Sequence, residues 1–324
     1  MKKISIIVPM YNSFAMMTRN LEVLSKQTAV EIELIIVDDC SKDNSFLMAK
    51  EYAEKSTLNI KVLQNEKNSG PGCSRNHGIK YATGDYITFV DSDDYFSENF
   101  TEVLSPLLEE NYDCVIFDYI NVDESGNIIS SGRSVGTDGI QPGQINRNEA
   151  LVYTYGTTWG KIYRLEIIHE HNVRFGEFFR NEDTPFTKHA LAVCRTIYYL
   201  PDKLYKYVQN AGSLMHNDRL LDEKNGQTAF ALLRGRIDES AFKEELLAIE
   251  LREVLNNTVM IKILKNEPNS EIKRYIKEHY RKEHFNNRYF SGYPFYVKVM
   301  SYMAYIKCLT ALRTIYQYKV RKRR

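Results

Sequence analysis

Residues 86–94 read Tyr-Ile-Thr-Phe-Val-Asp-Ser-Asp-Asp, an apolar run that stops at three carboxylates, Asp91, Asp93 and Asp94. Because the run is rich in β-branched and aromatic residues, it is predicted to be a buried strand of a parallel sheet. Ligands of open α/β sheets bind beyond the carboxyl ends of such strands. Clustered carboxylates repel one another there, so a divalent cation that also holds a substrate phosphate is one explanation. The local alternative is that two of the acids shape a turn and that Asp94 or Ser97 caps the next helix.

The first half of the chain alternates strand and helix patterns around this run. Helical spacing predicts helices over residues 14–24, 45–55 and 73–81. Apolar β-branched runs predict strands at Ile4–Val8, Ile32–Val37, Ile60–Leu63, Tyr86–Val90 and Asp113–Ile120. This order predicts an α/β fold, with a mainly parallel, Rossmann-like sheet and helices on both of its faces.

The second half changes in character. Five glycines within residues 121–146 predict a hairpin or flexible loop over the sheet edge. Helices are expected to resume near Arg147, Arg164 and Asp183, with short strands at Tyr198–Leu200 and Leu204–Val208. Beyond about residue 220 the pattern is helical, with breaks at Pro268 and Pro294. We therefore predict an α/β domain over 1–218 and a helical region over 219–324.

Composition narrows the class of protein. Hydrophobic residues make up 43% of the 324 residues and charged residues 26%, which is ordinary for a soluble globular protein. Five dispersed cysteines favour a reducing compartment, and the chain is predicted to be cytoplasmic. From Lys298 onward there are eight basic residues and no acidic one, although the whole chain has 43 basic and 42 acidic residues. An acidic body with a basic, aromatic tail suggests peripheral contact with an anionic membrane and argues against a nucleic-acid partner.

That tail has a second interpretation. The apolar stretch between Lys298 and Lys307 is too short to cross a bilayer. A helix packed on the α/β domain, with a solvated basic end, therefore remains equally open for residues 295–312.

Several predicted strands end in polar residues. In a parallel sheet these ends share one edge, so their side chains are expected to converge on one crevice. Tyr11 would offer a flat face to a base, and Asp38 and Asp39 would accept from an imide N–H or from ribose hydroxyls. Asp93, helped by Asp91, would hold Mg²⁺ or Mn²⁺ on a diphosphate. The alternative explanation is that the polar residues at each strand end only form a turn or cap a helix. Asp39 and a nearby serine, for example, could cap the next helix.

A glycine-containing loop and the start of a helix follow the third strand, over residues 68–78. It includes Asn68 and Gly70, and its exposed N–H groups favour an anion. Arg75 suits either a phosphate or an internal salt bridge that orders the acidic site. His77 is expected on the helix surface. No Gly-x-Gly-x-x-Gly follows the first strand and no Gly-Lys-Ser/Thr loop is present, which weakens a dinucleotide or P-loop enzyme.

The ordered motifs resemble those of the family 2 inverting glycosyltransferases of the GT-A fold. They are Ile-Val-Pro-Met-Tyr-Asn, Ile-Ile-Val-Asp-Asp, Asn-x-Gly-Pro-x-x-x-Arg-Asn-x-Gly and the Asp-Ser-Asp-Asp run, and the resemblance covers roughly residues 1–215. It implies a UDP-sugar donor and a Mn²⁺ or Mg²⁺ ion. Pro9, Tyr11 and Asn12 would lie at the base, Asp38 would contact the uracil, and Asp91 and Ser92 would approach the ribose. Asp93 would hold the metal.

The family also has a Trp-x-Lys-x-Tyr segment followed by a Glu-Asp pair, which here are Thr158–Tyr163 and Glu182-Asp183. The resemblance assigns the catalytic base to Asp183, with Glu182 as the alternative base and an N-cap as the structural explanation. Family members often carry an Arg before a later Gly-Ser, where this chain has Gln209 and Asn210. His216 is a candidate substitute as a metal or phosphate ligand.

These expectations describe an inverting transfer of a hexose-type sugar to a hydroxyl of a saccharide acceptor, lipid-linked, in cell-surface polysaccharide synthesis such as capsule formation. Two other classes stay open. A sugar-phosphate nucleotidyltransferase would also use paired acids but would attack phosphorus. A membrane-associated nucleotide-sugar-binding protein without activity would need Asp183 to lie far from the acid cluster.

Overall fold

The computed structural model describes residues 1–137, 139–209 and 223–315. The strands are β1 (Lys3–Met10), β2 (Glu31–Asp38), β3 (Asn59–Gln64), β4 (Tyr86–Phe89), β5 (Tyr95–Phe96), β6 (Cys114–Val122), β7 (Ile128–Gly132), β8 (Gly143–Ile145), β9 (Lys161–Arg164) and β10 (Ile197–Val208). The first helices are α1 (Thr18–Ser25), α2 (Ser45–Lys55), α3 (Pro71–Ile79), α4 (Phe100–Glu109), α5 (Arg147–Tyr153), α6 (Leu165–Glu170) and α7 (Asp183–Val193). They are followed by α8 (Glu223–Arg234), α9 (Lys243–Ile249), α10 (Asn256–Leu264), α11 (Asn269–His279) and α12 (Phe295–Tyr305).

The first four predicted strands along the chain form the parallel half of one sheet, in the order β3-β2-β1-β4. Their register places Met10 opposite Asp38, and Asp38 opposite Gln64. Ile7 lies opposite Phe89 on the other side of β1. The carboxyl ends of these strands therefore meet at one edge, and the predicted α/β GT-A-type architecture is confirmed.

The other half of the sheet is mixed, because β9 runs antiparallel between β4 and β6, and β10 runs parallel to β6. The expected hairpin in 121–146 is present as β6 and β7. The prediction of two short strands at Tyr198–Leu200 and Leu204–Val208 was wrong in one respect. They form the single strand β10, in which register shifts between Leu200 and Tyr205 absorb the intervening polar residues as an irregularity.

Hydrophobic residues on the two faces of the sheet enter two cores. Alternation along β1 sends Ile4 and Ile6 to the core that includes α1 and α4, and Ile7 to the core on the other face. The second core also contains Phe186 of α7 and Leu251 from the C-terminal helices. The C-terminal helices thus pack against the α/β part, although the predicted boundary at residue 218 lies outside the described residues. Across the described ranges, no helix is both long and apolar enough to cross a bilayer.

Candidate active site

The ends of β1, β2 and β3 are tied together by backbone hydrogen bonds. Asp39 N donates to Met10 O at 2.7 Å, and Asn65 N donates to Asp38 O at 2.8 Å. Asn12 Oδ1 accepts from Lys42 N at 2.8 Å, with the backbone of Asn12 at a φ of 50°. These bonds hold the turns after β1 and β2 side by side. The predicted convergence of polar strand ends is therefore present in the structure.

Asp38 lies at this edge with no exposed surface. One carboxylate oxygen, Oδ2, accepts from Ser41 N at 3.1 Å and from Gln64 Nε2 at 3.0 Å. The other oxygen, Oδ1, is a buried polar atom for which the described residues supply no hydrogen-bond partner. A buried acceptor without a donor is costly, so a ligand N–H aimed at Oδ1 would be favourable.

The carboxylate of Asp39 organises the following loop. It accepts from Asn65 Nδ2 at 2.7 Å, from Ser69 N at 3.0 Å and from Gly70 N at 2.7 Å. Gly70 has a φ of 87°, a conformation in which other residues are strained. Asp39 therefore neither caps α2, which begins at Ser45 without a side-chain cap, nor has its acceptors free for a ribose.

Pro71, at the first turn of α3, follows this loop and leads to Arg75. Arg75 Nη2 donates to Asp91 Oδ1 at 2.6 Å, and Nη1 donates to Glu182 Oε1 at 2.9 Å. The guanidinium is buried and lies 5.4 Å from the centre of the Phe175 ring. Of the two readings of Arg75, the salt bridge is the one present: it joins the acid turn after β4 to the segment before α7.

Glu182 and Asp183 occupy different environments although they are adjacent. Glu182 is buried against Arg75, whereas Asp183 is half-buried as the first residue of α7. Asp183 Oδ1 accepts from Thr184 N at 2.9 Å. Burial, followed by the charge of Glu182, raises the pKa of Asp183 to about 7, although Arg75 opposes this shift. Of the two carboxylates, Glu182 is hydrogen-bonded to the guanidinium, whereas Asp183 accepts from the backbone of Thr184.

The acid turn contains three carboxylates with different partners. Asp94 is buried and accepts from Tyr205 Oη at 2.6 Å and from Val208 N at 2.7 Å. Burial, and then the charges of Asp91 and Asp93, raise its pKa well above the ordinary value. Asp94 thus anchors β10 instead of capping α4, whose N-cap is residue 99. Ser92 and Asp93 are half-buried on the same turn.

The described ranges hold no group of three or more His, Cys, Asp or Glu side chains that could enclose a metal by themselves. A Mg²⁺ ion needs no such group, because it is commonly bound by one or two carboxylates while waters and phosphates fill the other positions. The negative charge of Asp91 and Asp93, which already raises the pKa of Asp94, is the field that a cation would relieve. The donor set at this turn therefore fits a divalent cation shared with a diphosphate.

The remaining predicted residues lie as follows. Tyr11 is 39% exposed at the rim, Pro9 is half-buried at the end of β1, and Asn68 is exposed on the loop held by Asp39. His77 is half-buried on α3, with Nδ1 2.8 Å from Asn65 Oδ1, so it supports the loop. Asn210 and His216 lie outside the described residues.

Sequence reasoning missed two supports of the site. Trp159 stacks on Tyr205 with ring centroids 4.9 Å apart and planes 10° apart, which places the tryptophan beside the anchor of Asp94. Lys161 is fully buried, and its ammonium donates to the carbonyl oxygens of Thr157 and Trp159. Burial lowers the pKa of Lys161 to about 7. The Trp-x-Lys-x-Tyr pattern identifies this segment in the sequence. It does not predict that the lysine is buried, because the burial comes from the pairing of β9, a strand of only four residues.

Comparison with known proteins then identifies the family. The model of "Glycosyl transferase family 2" matches residues 5–171. The chain belongs to this family. Glu182 and Asp183 lie beyond the matched residues, so their assignment depends on the geometry given above.

The curated relatives include poly(ribitol-phosphate) glycosyltransferases that are longer than this chain. Poly(ribitol-phosphate) beta-N-acetylglucosaminyltransferase TarS of Staphylococcus aureus is 35% identical over 212 residues, which cover 64% of this chain but 35% of TarS. Glycosyltransferase GlyG of Streptococcus pneumoniae is 32% identical over 224 residues, 66% of this chain and 73% of GlyG. The chain thus spans about a third of the length of TarS. The crystal structure of TarS 1–349 with UDP-GlcNAc has a TM-score of 0.67 at 24% identity and covers 99% of this chain and 92% of its own, which supports the fold.

Proposed function

We propose that this protein is an inverting glycosyltransferase that moves a sugar from a UDP-sugar to a hydroxyl of a cell-surface polymer. The observation that carries the proposal is the ion-pair bridge from Asp91 through Arg75 to Glu182, which brings the acid turn after β4 next to Asp183. The reaction needs a binding site for the donor diphosphate and a proton acceptor in one crevice. This bridge joins the segment that would bind the diphosphate to the segment that would supply the proton acceptor. UDP-GlcNAc is the first donor to test, because TarS, a relative, is crystallised with it.

The donor would lie across the polar ends of β1, β2 and β4. Tyr11 would pack on the base, and the unpartnered Oδ1 of Asp38 would accept the uracil imide N–H. Asp91 and Ser92 would approach the ribose, with Asp91 fixed in place by Arg75. Asp93, with Asp91, would hold Mn²⁺ or Mg²⁺, and such an ion would neutralise charge on the leaving diphosphate.

Asp183 would act as the general base. Its carboxylate would take the proton from the acceptor hydroxyl as that oxygen attacks the anomeric carbon and the bond to the diphosphate breaks. UDP would leave from the opposite face of the sugar, so a single displacement inverts the anomeric configuration. With a pKa near 7, a large fraction of Asp183 is ionised at neutral pH and can accept a proton. The carboxylate is also more basic than an ordinary Asp, which favours the proton transfer.

The acceptor is proposed to be a lipid-linked chain presented at the cytoplasmic face of the membrane. Tyr302 and Ile306 are exposed on α12 and just after it, near Lys298 and Lys307 in the sequence, as in a peripheral interfacial helix. We expect the protein to sediment with vesicles rich in anionic lipid and to remain in solution with zwitterionic vesicles.

The decisive experiment is to incubate the protein with UDP-sugars, Mn²⁺ and a polyol-phosphate or saccharide acceptor, and then to measure UDP and the new glycoside. Release of UDP together with an inverted glycosidic bond supports the proposal. A nucleotidyltransferase would instead transfer the uridylyl group of UTP to a sugar phosphate, with pyrophosphate leaving, and would form no glycosidic bond. Binding of UDP-sugar without any product would favour a non-catalytic binding protein.

A further inference from the structure

A cleft of about 670 Å³ lies between the β6–β7 segment and the start of α12. This volume is within the range of ligand pockets in proteins. We call it the aromatic cleft, and the residues that matter among those lining it are Tyr119, Arg133, Tyr155, Tyr293, Phe295 and Tyr296. The C-terminal helices thus supply one wall, and the α/β part supplies the other.

Three aromatic side chains of the cleft are largely exposed to solvent. Phe295 is 79% exposed, Tyr296 52% and Tyr155 36%, although all three face the same depression. Aromatic rings that line a concave surface can pack against the C–H faces of a sugar or polyol while phenol hydroxyls bond to its hydroxyls. A concave wall of this kind suits an extended chain better than a flat lipid surface.

Two guanidinium groups border the cleft. Arg133 lines it directly, and its Nη2 donates to Ile140 O at 3.1 Å. Arg252 lies 4.7 Å from the centre of the Tyr155 ring and 5.9 Å from that of Tyr293. Guanidinium groups pair well with phosphate oxygens. The lining therefore combines ring faces for carbon chains with positive charge for a phosphate.

Two routes connect the aromatic cleft with the proposed catalytic groups. Residue 156 follows Tyr155 and is a glycine, at which an added Cβ would lie 2.4 Å from Thr184 Oγ1, one residue after Asp183. On the other wall, Tyr119 contacts Trp159 edge to face at 4.8 Å. Trp159 in turn stacks on Tyr205, the tyrosine that anchors the acid turn. The aromatic cleft therefore adjoins the segments that carry Asp183 and the acid turn.

We propose that the aromatic cleft is the acceptor subsite and that it binds a phosphate-bearing polyol or saccharide chain. The proposal rests on the proposed glycosyl transfer, because it needs the hydroxyl of the bound chain to meet Asp183. Tyr155 and Phe295 would pack against the carbon skeleton. Arg252 at the border of the cleft would attract a phosphate of the chain, and Arg133, whose Nε and Nη2 donate to Tyr199 and Ile140, would add positive charge beside it.

The test measures acceptor binding separately from catalysis. Trp159 is the single tryptophan of the chain, so its fluorescence can follow titration with a ribitol-phosphate oligomer when no UDP-sugar is present. Variants Phe295→Ala and Arg252→Gln are compared with Ile306→Ala, which removes a 68% exposed side chain just beyond the same helix and outside the cleft. Thermal unfolding and UDP binding of each variant verify that the fold and donor site remain.

We expect Phe295→Ala and Arg252→Gln each to weaken oligomer binding, and to raise the acceptor KM, by about tenfold, the effect of losing one aromatic or charged contact. The donor KM should change less than about twofold on the same scale. Arg252→Lys should restore part of the binding, and a neutral chito-oligosaccharide should bind more weakly than the phosphate oligomer.

Equal binding by the wild type, Phe295→Ala and Arg252→Gln would overturn the proposal, as would equal affinity for the neutral oligomer. A loss seen only with vesicles, and shared by Ile306→Ala, would assign this surface to the membrane instead. If the wild type binds the oligomer through these residues but transfers no sugar, the cleft is a binding site for the chain, and both the proposed transfer and the acceptor role fail.

Discussion

The pH dependence of transfer tests the proposed base most directly. Burial and the charge of Glu182 raise the pKa of Asp183 from 3.8 to about 7. Because only the ionised carboxylate accepts a proton, kcat/KM should follow its ionised fraction. With a pKa near 7, that fraction is roughly 0.9 at pH 8 and roughly 0.01 at pH 5, which predicts a fall of about 90-fold. An Asp at its ordinary pKa would stay more than roughly 0.9 ionised at pH 5, and the profile would be flat.

Two charged residues close to Asp183 should shift its pKa, and with it the pH profile, in opposite directions when they are replaced. Glu182→Gln removes a negative charge that raises the pKa of Asp183, so the acid limb of the profile should move to lower pH. Arg75→Gln removes a positive charge that lowers that pKa, so the limb should move to higher pH. Both replacements keep a hydrogen-bonding side chain. The two variants therefore form a matched pair with opposite expected shifts.

The assay should count released UDP chromatographically at subsaturating acceptor, so that kcat/KM of the free enzyme is followed without a coupling enzyme. UDP affinity is measured by calorimetry at each pH to separate binding from chemistry. Asp183→Asn should abolish transfer and leave UDP binding nearly unchanged. A profile that is flat from pH 5 to 8, or shifts in the same direction in Glu182→Gln and Arg75→Gln, would refute Asp183 as the titrating base.

Three further outcomes follow from the same site. Asp38→Asn should weaken UDP binding by about 10- to 100-fold in calorimetry, the range for a lost charged hydrogen bond, whereas unchanged affinity would remove Asp38 from the base pocket. Asp93→Asn should abolish the gain in UDP affinity produced by Mn²⁺ with little change in Tm. Asp94→Asn, which disturbs the bond to Tyr205, should mainly lower Tm. The reverse pattern would contradict the assignment of Asp93 to the metal and of Asp94 to the anchor of β10. Because the folded pKa of Asp183 lies above its unfolded value, the stability it contributes is present below about pH 4 and is lost as pH rises through about 7. Asp183→Asn should therefore raise Tm by about 2 °C or more at pH 8 and by less at pH 4, as measured by thermal unfolding.

The parallel half of the fold could be predicted because each of its strands has a local signal. Ile4–Val8 and Ile32–Val37 are continuous β-branched runs, and their observed strands extend them by only a few residues. The helix predicted at 45–55 is the observed α2. A strand that is buried on both faces appears in the sequence as a continuous apolar run, which is a clear local signal. The crevice at the carboxyl ends follows from this parallel order alone.

The rest of the site depends on contacts between distant segments. The partners of Arg75 are 16 and 107 residues away, and nothing local to α3 distinguishes a phosphate from a carboxylate partner. Asp39 has the same motif as Asp38, yet its carboxylate is occupied by the loop at Gly70. The strand β9 has four residues, and β10 crosses a polar interruption, so neither shows a clear period.

The two adjacent acids Glu182 and Asp183 have different surroundings, which would suit them to different roles in the proposed reaction. Glu182 is paired with a buried guanidinium, and this ion pair joins the start of α7 to α3. Asp183 is desolvated beside that charge, so its carboxylate is held as a weaker acid. Divergent environments of neighbouring titratable groups are how acid and base roles are separated in enzyme sites. Because Arg75 also holds Asp91, any donor that moves Asp91 would change the electrostatic field at Asp183, and the base would respond to occupation of the nucleotide site.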